Sequence, residues 1–279
     1  MRCRMTHVVD ASPLGQKTVY ISSYDAGLLF AIARSESRKL LKVTADLPFY
    51  GHDIWTGYEL SWLSSKGKPE IAVAEFKIPC NSTFIIESKS FKLYLNSFNQ
   101  TRFLNLAAVK NVLITDLSAV AGMAVEVDLQ YLSNSNLLID VAYNALCLDE
   151  LDINIDTYHP DSSLLTTEAF EEVDEVLCSH LLKSNCPVTG QPDWASLFVE
   201  YSGAKIQHES LLRYVISFRE HQDFHEHCVE RIFVDLLRCC KPKTLSVYAR
   251  YTRRGGLDIN PFRSTELDAL PKVGRLLRQ

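Results

Sequence analysis

Apolar residues recur at helical spacing in two separate stretches of the chain. In residues 90–98 they occupy positions 91, 94, 95 and 98, and in residues 210–218 they occupy positions 211, 214, 215 and 218. A spacing of i, i+3, i+4 and i+7 is typical of one face of an amphipathic helix. The two stretches align without gaps, and four of their nine positions are identical. The pattern therefore predicts an internal duplication, with one such helix in each half.

The elements around these helices also recur. A second helical stripe follows each helix, at residues 109–113 and 229–233, and a strand-like run follows each stripe, at 125–128 and 245–251. Two strand-like runs precede each helix, at 54–63 and 71–78 in the first half and at 176–183 and 194–201 in the second. Each half is thus predicted to run strand, strand, helix, helix, strand, strand. This order favours an α+β fold, with antiparallel sheet on one side and helices packed on the other.

Composition narrows the class of protein. The chain has 279 residues, of which 47% are hydrophobic and 23% charged, as in soluble globular proteins. Its net charge of −5 provides no broad surface for nucleic acid or membrane, which favours an enzyme that acts on a small molecule. No apolar run approaches the roughly 18 residues that span a bilayer, and Met1 to His7 lack the apolar core of a signal peptide. The eight cysteines are scattered without metal-ribbon spacing, so we expect reduced thiols and a cytoplasmic location.

An acidic segment separates the two halves. Residues 149–163 are rich in aspartate and are predicted to be the connection between them. A calcium site is the alternative, but the segment lacks the glycine and the terminal glutamate of an EF-hand loop. A solvated connection is therefore favoured.

The run from Cys186 to Asp193 is a candidate nucleophile site. Pro187, Gly190 and Pro192 predict a tight turn after a strand. A thiol at the mouth of such a turn can be aimed at a substrate and act as a nucleophile. Asp193 is expected to return across the turn and, if partial burial keeps it protonated, to act as a general acid. The alternative is a buried structural cysteine with a turn-capping aspartate, and the spacing alone does not decide between them.

The run from His221 to Cys228 allows two interpretations. His221 and His225 stand four residues apart, so on one helix they would share a face and form a metal pair. The favoured interpretation is a helix start, with Asp223 as the N-cap and Glu226 as its partner in the first turn. Such a helix start suits a polar heterocycle better than a metal ion.

Two basic runs are candidate anion sites. Residues 87–92 open the helix of the first half, where Ser88 is the predicted cap and exposed N–H groups would attract anions. Lys89 and Lys92 lie on the polar face of this helix. Residues 253–256, Arg-Arg-Gly-Gly, follow a strand, and arginine recognises phosphate while glycine lets the backbone approach a ligand. The alternatives are a solvated helix face and an ordinary basic hairpin tip.

Taken together and in order, these runs resemble the motifs of the 7-cyano-7-deazaguanine reductases, the QueF family of queuosine biosynthesis. The motifs are Glu87-Ser88-Lys89-Ser90-Phe91-Lys92-Leu93-Tyr94, Cys186 to Asp193, Phe224-His225-Glu226 and Arg253-Arg254-Gly255-Gly256-Leu257-Asp258-Ile259. The likeness extends from Leu14-Gly15 and Tyr24-Asp25 to the C-terminus, with no departure at a motif position. It implies the tunnelling fold (T-fold) shared with GTP cyclohydrolase I, in its two-module form.

The resemblance also divides the chain. It implies an N-terminal module, residues 1–148, that carries the Glu-Ser-Lys motif, a connection at 149–163, and a C-terminal module, residues 164–279, that carries the catalytic cysteine. The first half has no cysteine turn, and the second has Gln207-His208-Glu209-Ser210 where Glu-Ser-Lys would stand. Each half lost what the other retained, which implies a site built from both modules, within one chain or across a homodimer.

The resemblance implies a role for each motif residue. Cys186 would add to the nitrile carbon to give a covalent thioimidate, Asp193 would protonate the nitrile nitrogen, and His225 would assist proton transfer. Substrate binding is implied for Ile86, Glu87, Ser88, His225 and Glu226, and NADPH binding for Ser88, Lys89, Arg254 and Gly255. The implied reaction converts 7-cyano-7-deazaguanine to 7-aminomethyl-7-deazaguanine with two NADPH per turnover and no metal. The implied partners are this nitrile, NADPH and a second copy of the chain, without direct contact to nucleic acid or membrane.

Two other functions remain open on the sequence. One is a zinc-dependent cyclohydrolase of the same fold, with Cys186 and a histidine of residues 221–227 as ligands. The other is a non-catalytic module that binds a purine or pterin. Metal analysis tests the first, and NADPH consumption tests the second.

Overall fold

The computed structural model of the chain describes residues 21, 23–43, 46–131 and 144–279. The family likeness at Leu14-Gly15 and the absence of a signal peptide at the N-terminus concern residues outside the described ones. The described residues divide into two compact units. Unit 1 contains residues up to 36, residues 54–131 and residues 253–257, and unit 2 contains residues 37–53, 144–252 and 258–279, with the gaps given above. The module boundaries at residues 148 and 164 stay predictions.

The helices and strands follow the predicted order. The helices are α1 (Arg34–Leu40), α2 (Ser88–Ser97), α3 (Leu106–Ala121), α4 (His208–Ser217) and α5 (His225–Cys239). The strands are β1 (Ala31–Ala33), β2 (His52–Leu63), β3 (Pro69–Pro79), β4 (Phe84–Ile86), β5 (Glu126–Tyr131), β6 (Leu146–Cys147), β7 (Thr167–Asn185), β8 (Pro192–Ile206), β9 (Thr244–Tyr251) and β10 (Leu257–Ser264). Residues 132–143, which follow β5, lie outside the described ranges. The α+β class, with antiparallel sheet and helices, is confirmed.

Unit 1 packs helix α2 against the strands through aromatic side chains. Strand β3 lies between β2 and β5, and its pairing with β5 is antiparallel, with Phe76 opposite Val127. The Phe91 ring of α2 lies 5.2 Å from the Trp55 ring of β2 and 5.0 Å from the Phe76 ring of β3. All three rings are buried, and burying each of them removes apolar surface from water. The predicted helical face and the alternating strand at 125–128 are therefore confirmed.

Unit 2 contains a sheet in which β9, β8, β7 and β6 are successive neighbours. Strands β7 and β8 form a long antiparallel hairpin, and β7 shifts register between Ser179 and Leu182. These two strands are longer than predicted, because the polar and acidic residues at the start of β7 carry little apolar alternation. Strand β6 pairs with β7 in the parallel sense. Within the described ranges, no helix is both long and apolar enough to cross a membrane.

The internal duplication is visible in matched hydrogen bonds. In unit 1 the Tyr94 hydroxyl donates to Asp116 at 2.6 Å, which ties helix α2 to α3. In unit 2 the Tyr214 hydroxyl donates to Asp235 at 2.7 Å, which ties α4 to α5 in the same way. Both tyrosine side chains are buried, and burial raises the pKa of each, with the bonded aspartate adding to the shift. Each unit thus locks its helix pair with the same buried bond.

Candidate active site

Cys186 lies at the first position of the turn that joins β7 to β8. The Cys186 N–H donates to the Gln191 carbonyl at 2.9 Å, and the Gly190 N–H donates to the Cys186 carbonyl at 3.0 Å. Gly190 has a φ of 68°, which a residue with a side chain rarely adopts. These bonds close the turn predicted from Pro187, Gly190 and Pro192. The Cys186 side chain is half-buried, so the thiol remains accessible to a small molecule.

Asp193 lies across this hairpin from Ser184. The β7–β8 register pairs Ser184 with Asp193 and Asn185 with Pro192, and the bond from Cys186 to Gln191 extends it by one residue. Because side chains alternate between the two faces of a strand, this register puts Cys186 and Asp193 on the same face. Asp193 is only 5% exposed. A buried carboxyl beside a half-buried thiol fits the predicted pairing of a nucleophile with a proton donor.

His225 meets Asp193 from the first position of helix α5. The Nε2 atom of His225 lies 3.4 Å from Oδ2 of Asp193. The imidazole stacks on the Tyr251 ring of β9 with a centroid distance of 3.7 Å and an interplanar angle of 1°. The Nδ1 atom of His225 is buried and has no hydrogen-bond partner among the described residues. The structure therefore brings together two of the three predicted catalytic groups, and the aromatic ring holds the orientation of the imidazole.

Glu226 follows His225 in the first turn of α5 and is 2% exposed. A buried carboxylate is costly unless polar groups compensate it. The first turn of a helix supplies part of this compensation, since its N-terminus carries partial positive charge. Glu226 thus lies next to His225, and its predicted role in binding the substrate stays a prediction.

The start of α5 differs from its prediction. The helix begins at His225 with Phe224 as the N-cap, and this cap makes no side-chain hydrogen bond. Asp223 does not cap the helix, because its carboxylate lies between two histidines, 3.0 Å from Nδ1 of His227 and 3.5 Å from Nε2 of His221. His221 precedes the helix, so the less favoured alternative, in which His221 and His225 share a helical face as a metal pair, is wrong.

The pKa values of Asp223 and His227 are shifted in opposite directions. Burial alone would raise the pKa of Asp223, but the charges and hydrogen bonds of His227 and His221 lower it well below its ordinary value. Burial alone would lower the pKa of His227, but the carboxylates of Asp223, Glu230 and Glu226 raise it. Asp223 and His227 therefore form a buried ion pair directly beneath the start of α5.

In unit 1, Glu87 caps its own helix. Its two carboxylate oxygens accept from the N–H groups of Lys89 at 2.8 Å and Ser90 at 2.7 Å. Glu87 is the N-cap of α2, so the prediction of Ser88 as the cap is wrong. The reason is that the chain is still extended at Glu87 and helical from Ser88. The expectation that these N–H groups attract an external anion is also wrong for Lys89 and Ser90, because the Glu87 carboxylate already occupies them.

Glu87 is almost fully buried, at 1% exposure. Burial raises its pKa, although the two N–H groups and the nearby Lys92 and Lys89 oppose the shift. Its neighbour Ile86 is equally buried and pairs with Ala31, so a contact between Ile86 and a ligand would use main-chain atoms. Ser88 is half-buried at the first helical position.

The glycine turn at residues 253–257 lies against helix α2 within unit 1. Residues 253–257 form a tight hairpin in which Arg254 and Leu257 exchange backbone hydrogen bonds around Gly255 and Gly256. The two glycines have φ values of 58° and 72°, as the two central residues of a type I′ turn require. A Cβ atom on Gly255 would lie 3.3 Å from Cδ of Lys92. The predicted cofactor-binding Gly255 thus lies against the polar face of α2 that carries Lys89 and Lys92.

Sequence reasoning missed Tyr251. This residue ends β9 in a run of buried side chains, a pattern that predicts only core packing. Its contact with His225 joins residues 26 positions apart in the chain, and no local spacing indicates it. The sequence predicts Asp223 as a helix cap, whereas the structure places its carboxylate next to His221 and His227.

Two family models match the chain. The model described as the N-terminal part of the nitrile reductase 7-cyano-7-deazaguanine reductase matches residues 20–129, and the model described as QueF-like protein matches residues 192–269. Glu87 falls in the first matched range, and Asp193 and His225 fall in the second. Together the matches define a class, the nitrile reductases with an α+β tunnelling fold.

Curated relatives cover the rest of the chain, including Cys186. An NADPH-dependent 7-cyano-7-deazaguanine reductase of Burkholderia vietnamiensis is 55% identical over 96% of this chain and 98% of its own length. One of Dechloromonas aromatica is 55% identical over 100% of both chains. A crystal structure of the archaeosine synthase QueF-Like in the apo form matches 37% of this chain and 100% of its own at 19% identity and a TM-score of 0.30, and at that level it supports no conclusion. The chain belongs to the family of NADPH-dependent 7-cyano-7-deazaguanine reductases.

Proposed function

We propose that this chain reduces the nitrile of 7-cyano-7-deazaguanine to an aminomethyl group, using two NADPH per turnover, in queuosine biosynthesis. The full-length identity with reductases of this name supports the reaction. The contact between His225 and Asp193, beside the Cys186 turn, supports the assignment of the chemistry to this part of unit 2.

Cys186 is the proposed nucleophile. Its thiol loses a proton to solvent, and the sulfur forms a bond to the nitrile carbon while one π bond of the nitrile breaks and the electron pair goes to the nitrile nitrogen. Asp193 donates a proton to that nitrogen, which gives a neutral thioimidate. The half-buried position of Cys186 limits water around the intermediate. Once the thioimidate carbon has accepted one hydride, its C–S bond breaks, which returns the electron pair to the sulfur of Cys186 and leaves an imine. The imine accepts the second hydride and a proton to give the amine, so covalent capture holds the substrate until the first reduction.

His225 is the proposed proton-transfer partner of Asp193. Its Nε2 faces the carboxyl at 3.4 Å, and its stacking on Tyr251 restricts rotation of the ring. The reaction needs two protons besides two hydrides to convert the nitrile to the amine. His225 can pass a proton to Asp193 after the first has been donated, which supports its assignment as a catalytic residue.

Glu87 and Glu226 are the proposed base-binding carboxylates. The deazaguanine edge offers ring N–H and amino donors, which a carboxylate can accept in pairs. The two oxygens of Glu87 use one acceptor position each for the helix N–H groups of α2, and each retains another. Ile86, Ser88 and His225 are the proposed neighbours of the base.

Ser88, Lys89, Arg254 and Gly255 are the proposed NADPH-binding residues. The proximity of Gly255 to Lys92 supports this, because it brings a glycine backbone next to a basic side chain within unit 1. This donor set fits the phosphates of a dinucleotide. NADPH supplies the hydride, and these residues hold its charged groups. We further propose that the chain acts as a homodimer in the cytoplasm, without direct contact to nucleic acid, and that the chemistry needs no metal.

Absorbance at the NADPH band, with quantification of the amine, tests the proposed function. We expect two NADPH consumed per nitrile with the native chain, and the same rate after chelation. A non-catalytic binding module would bind the nitrile and consume no NADPH. A cyclohydrolase would lose activity on chelation and regain it with zinc. Light scattering of the purified chain gives its mass and tests the homodimer.

A further inference from the structure

A second cluster of reactive side chains lies in unit 2, away from the Cys186 turn. One ligand atom from each of Cys147, Cys178 and His180 lies within 4.8 Å of the other two. From Cys178 to the end of β7 the strand continues for seven residues, or about 20 Å at the usual rise of a strand. The cluster is therefore separate from the proposed catalytic groups, and nothing in the reduction uses it.

Strand pairing creates this cluster. Cys147 of β6 and Cys178 of β7 are direct partners in a parallel pair, so their side chains lie on the same face of neighbouring strands. His180 follows Cys178 by two residues, within the register shift of β7. Such a bulge redirects a side chain relative to the regular strand.

Asp149 fixes the bulge. Its carboxylate accepts from the Ser179 hydroxyl at 2.7 Å and from the His180 N–H at 2.9 Å. The Nδ1 atom of His180 lies 2.7 Å from the hydroxyl oxygen of Ser196. A metal-binding histidine typically has one ring nitrogen held by such an outer partner, which orients the ring for the metal.

We propose that Cys147, Cys178 and His180 bind a zinc ion. Two thiolates and one imidazole form a ligand set that zinc prefers, and the three ligand atoms lie close enough together, within 4.8 Å of one another, for a single ion to reach all of them. Cys147 is exposed, so the fourth position is open to water or to an external ligand. Cys178 is buried in an apolar cluster with Val273 near the C-terminus, so zinc would tie β6 to β7 beside that segment.

Binding displaces a proton from each thiol. Burial raises the pKa of Cys178 to about 12, and the neighbouring Cys147 and Asp149 add to the shift. Zinc must compete with this proton and releases it when it binds, as is general for thiolate sites. The site therefore does not require a thiolate to be present beforehand.

Zinc titration of the full chain tests the proposal. The reduced chain, stripped of metal, is titrated with zinc chloride, and the same chain with cobalt(II) chloride, whose thiolate complexes absorb visibly. We expect one ion per chain with a thiolate-to-cobalt band. Because loss of an outer partner typically costs 10- to 100-fold in affinity, loss of a ligand in Cys147→Ser or His180→Gln should cost at least about 100-fold, and Ser196→Ala about 10-fold or more.

Cys239→Ser, which removes another exposed thiol, is the matched control and should bind zinc as the native chain does. Cys186→Ala should also retain the ion, which separates this site from a catalytic zinc. Nitrile turnover is measured on the same samples, and Cys147→Ser should retain it. The proposal is overturned if the native chain binds no more tightly than Cys147→Ser, if Cys186→Ala loses the ion, or if peptide mapping finds a Cys147–Cys178 disulfide that persists after mild reduction.

Discussion

The two units begin their helices in opposite ways. In unit 1, α2 starts at a buried carboxylate, Glu87, and α3 starts at an ordinary cap, where the Asn105 side chain accepts from the Ala108 N–H at 2.9 Å. In unit 2 the ordinary start is that of α4, where Gln207 makes no side-chain cap bond. The start of α5 instead carries His225 and Glu226.

The backbone around these helix starts is nevertheless the same. The Glu87 N–H donates to the Phe30 carbonyl at 2.9 Å, and the Gln207 N–H donates to the Thr166 carbonyl at 3.0 Å. The scaffold of the duplication was thus retained, while the charged groups diverged. In unit 1 the candidate functional carboxylate therefore lies at the start of α2, the first helix of its pair. In unit 2 the candidate functional residues lie at the start of α5, the second helix of its pair. The following predictions test this difference.

The largest effect is expected at Asp193. Asp193→Asn keeps the shape of the side chain but removes the acidic proton, so the rate of nitrile reduction should fall by about 10²- to 10⁴-fold. Stopped-flow absorbance under single-turnover conditions measures it. Asp161→Asn, which alters an exposed cap in the same unit, should leave the rate unchanged. A native rate in Asp193→Asn would remove the proton donor from the mechanism.

The next largest effect is expected from exchanging glutamate and glutamine between the two matching caps, Glu87 of α2 and Gln207 of α4. Glu87→Gln removes a charged acceptor and should raise the KM for the nitrile by about 10- to 100-fold, corresponding to the 1.5–3 kcal/mol of a charge-assisted hydrogen bond. Gln207→Glu, at the matching position of unit 2, should leave KM within about twofold. Steady-state kinetics decides, and equal effects of the two changes would mean that the units had not diverged in function.

A third prediction concerns the second helix of each unit and the dependence of folding stability on pH. His227 has a raised pKa in the folded chain, so its contribution to stability is complete below its ordinary value of 6.5 and is lost as pH rises through the raised value. Asp223 has a lowered pKa, so its contribution is complete above its ordinary value of 3.8 and is lost only at strongly acidic pH. The pair therefore stabilises the fold fully between these two values.

Asp223→Asn should lower the free energy of unfolding by about 3–5 kcal/mol at pH 6, because it leaves a buried histidine without its counter-charge. This loss should shrink at more alkaline pH, as His227 loses its proton above its raised pKa. Asn105→Ala, which removes the cap of the matching helix in unit 1, should cost about 1 kcal/mol at both pH values. Urea unfolding gives the free energy of unfolding of the native chain, of Asp223→Asn and of Asn105→Ala. A loss of stability in Asp223→Asn that does not change with pH would contradict the ion pair.

The sequence predicted those features that depend on local spacing. The helical faces of α2 and α4 follow from their apolar positions, and the turn at Cys186 follows from its prolines and glycine. The choice between Glu87 and Ser88 as the cap of α2 depends on where the helix begins, and neighbouring residues do not decide this.

Contacts between distant residues were not predictable. The stacking of His225 on Tyr251 depends on how α5 lies over β9. Cys147 and Cys178 are 31 positions apart and meet only because β6 pairs with β7 in the parallel sense. The sequence contains no metal-binding spacing that would indicate this contact.

The proposed nucleophile is tested most directly by the intact mass of the protein after incubation with 7-cyano-7-deazaguanine without NADPH. The native chain should gain the mass of one nitrile molecule, because the thioimidate forms by addition and nothing leaves. Cys186→Ala should gain none, and Cys239→Ser should gain as much as the native chain. An adduct on Cys186→Ala, or none on the native chain, would contradict the account.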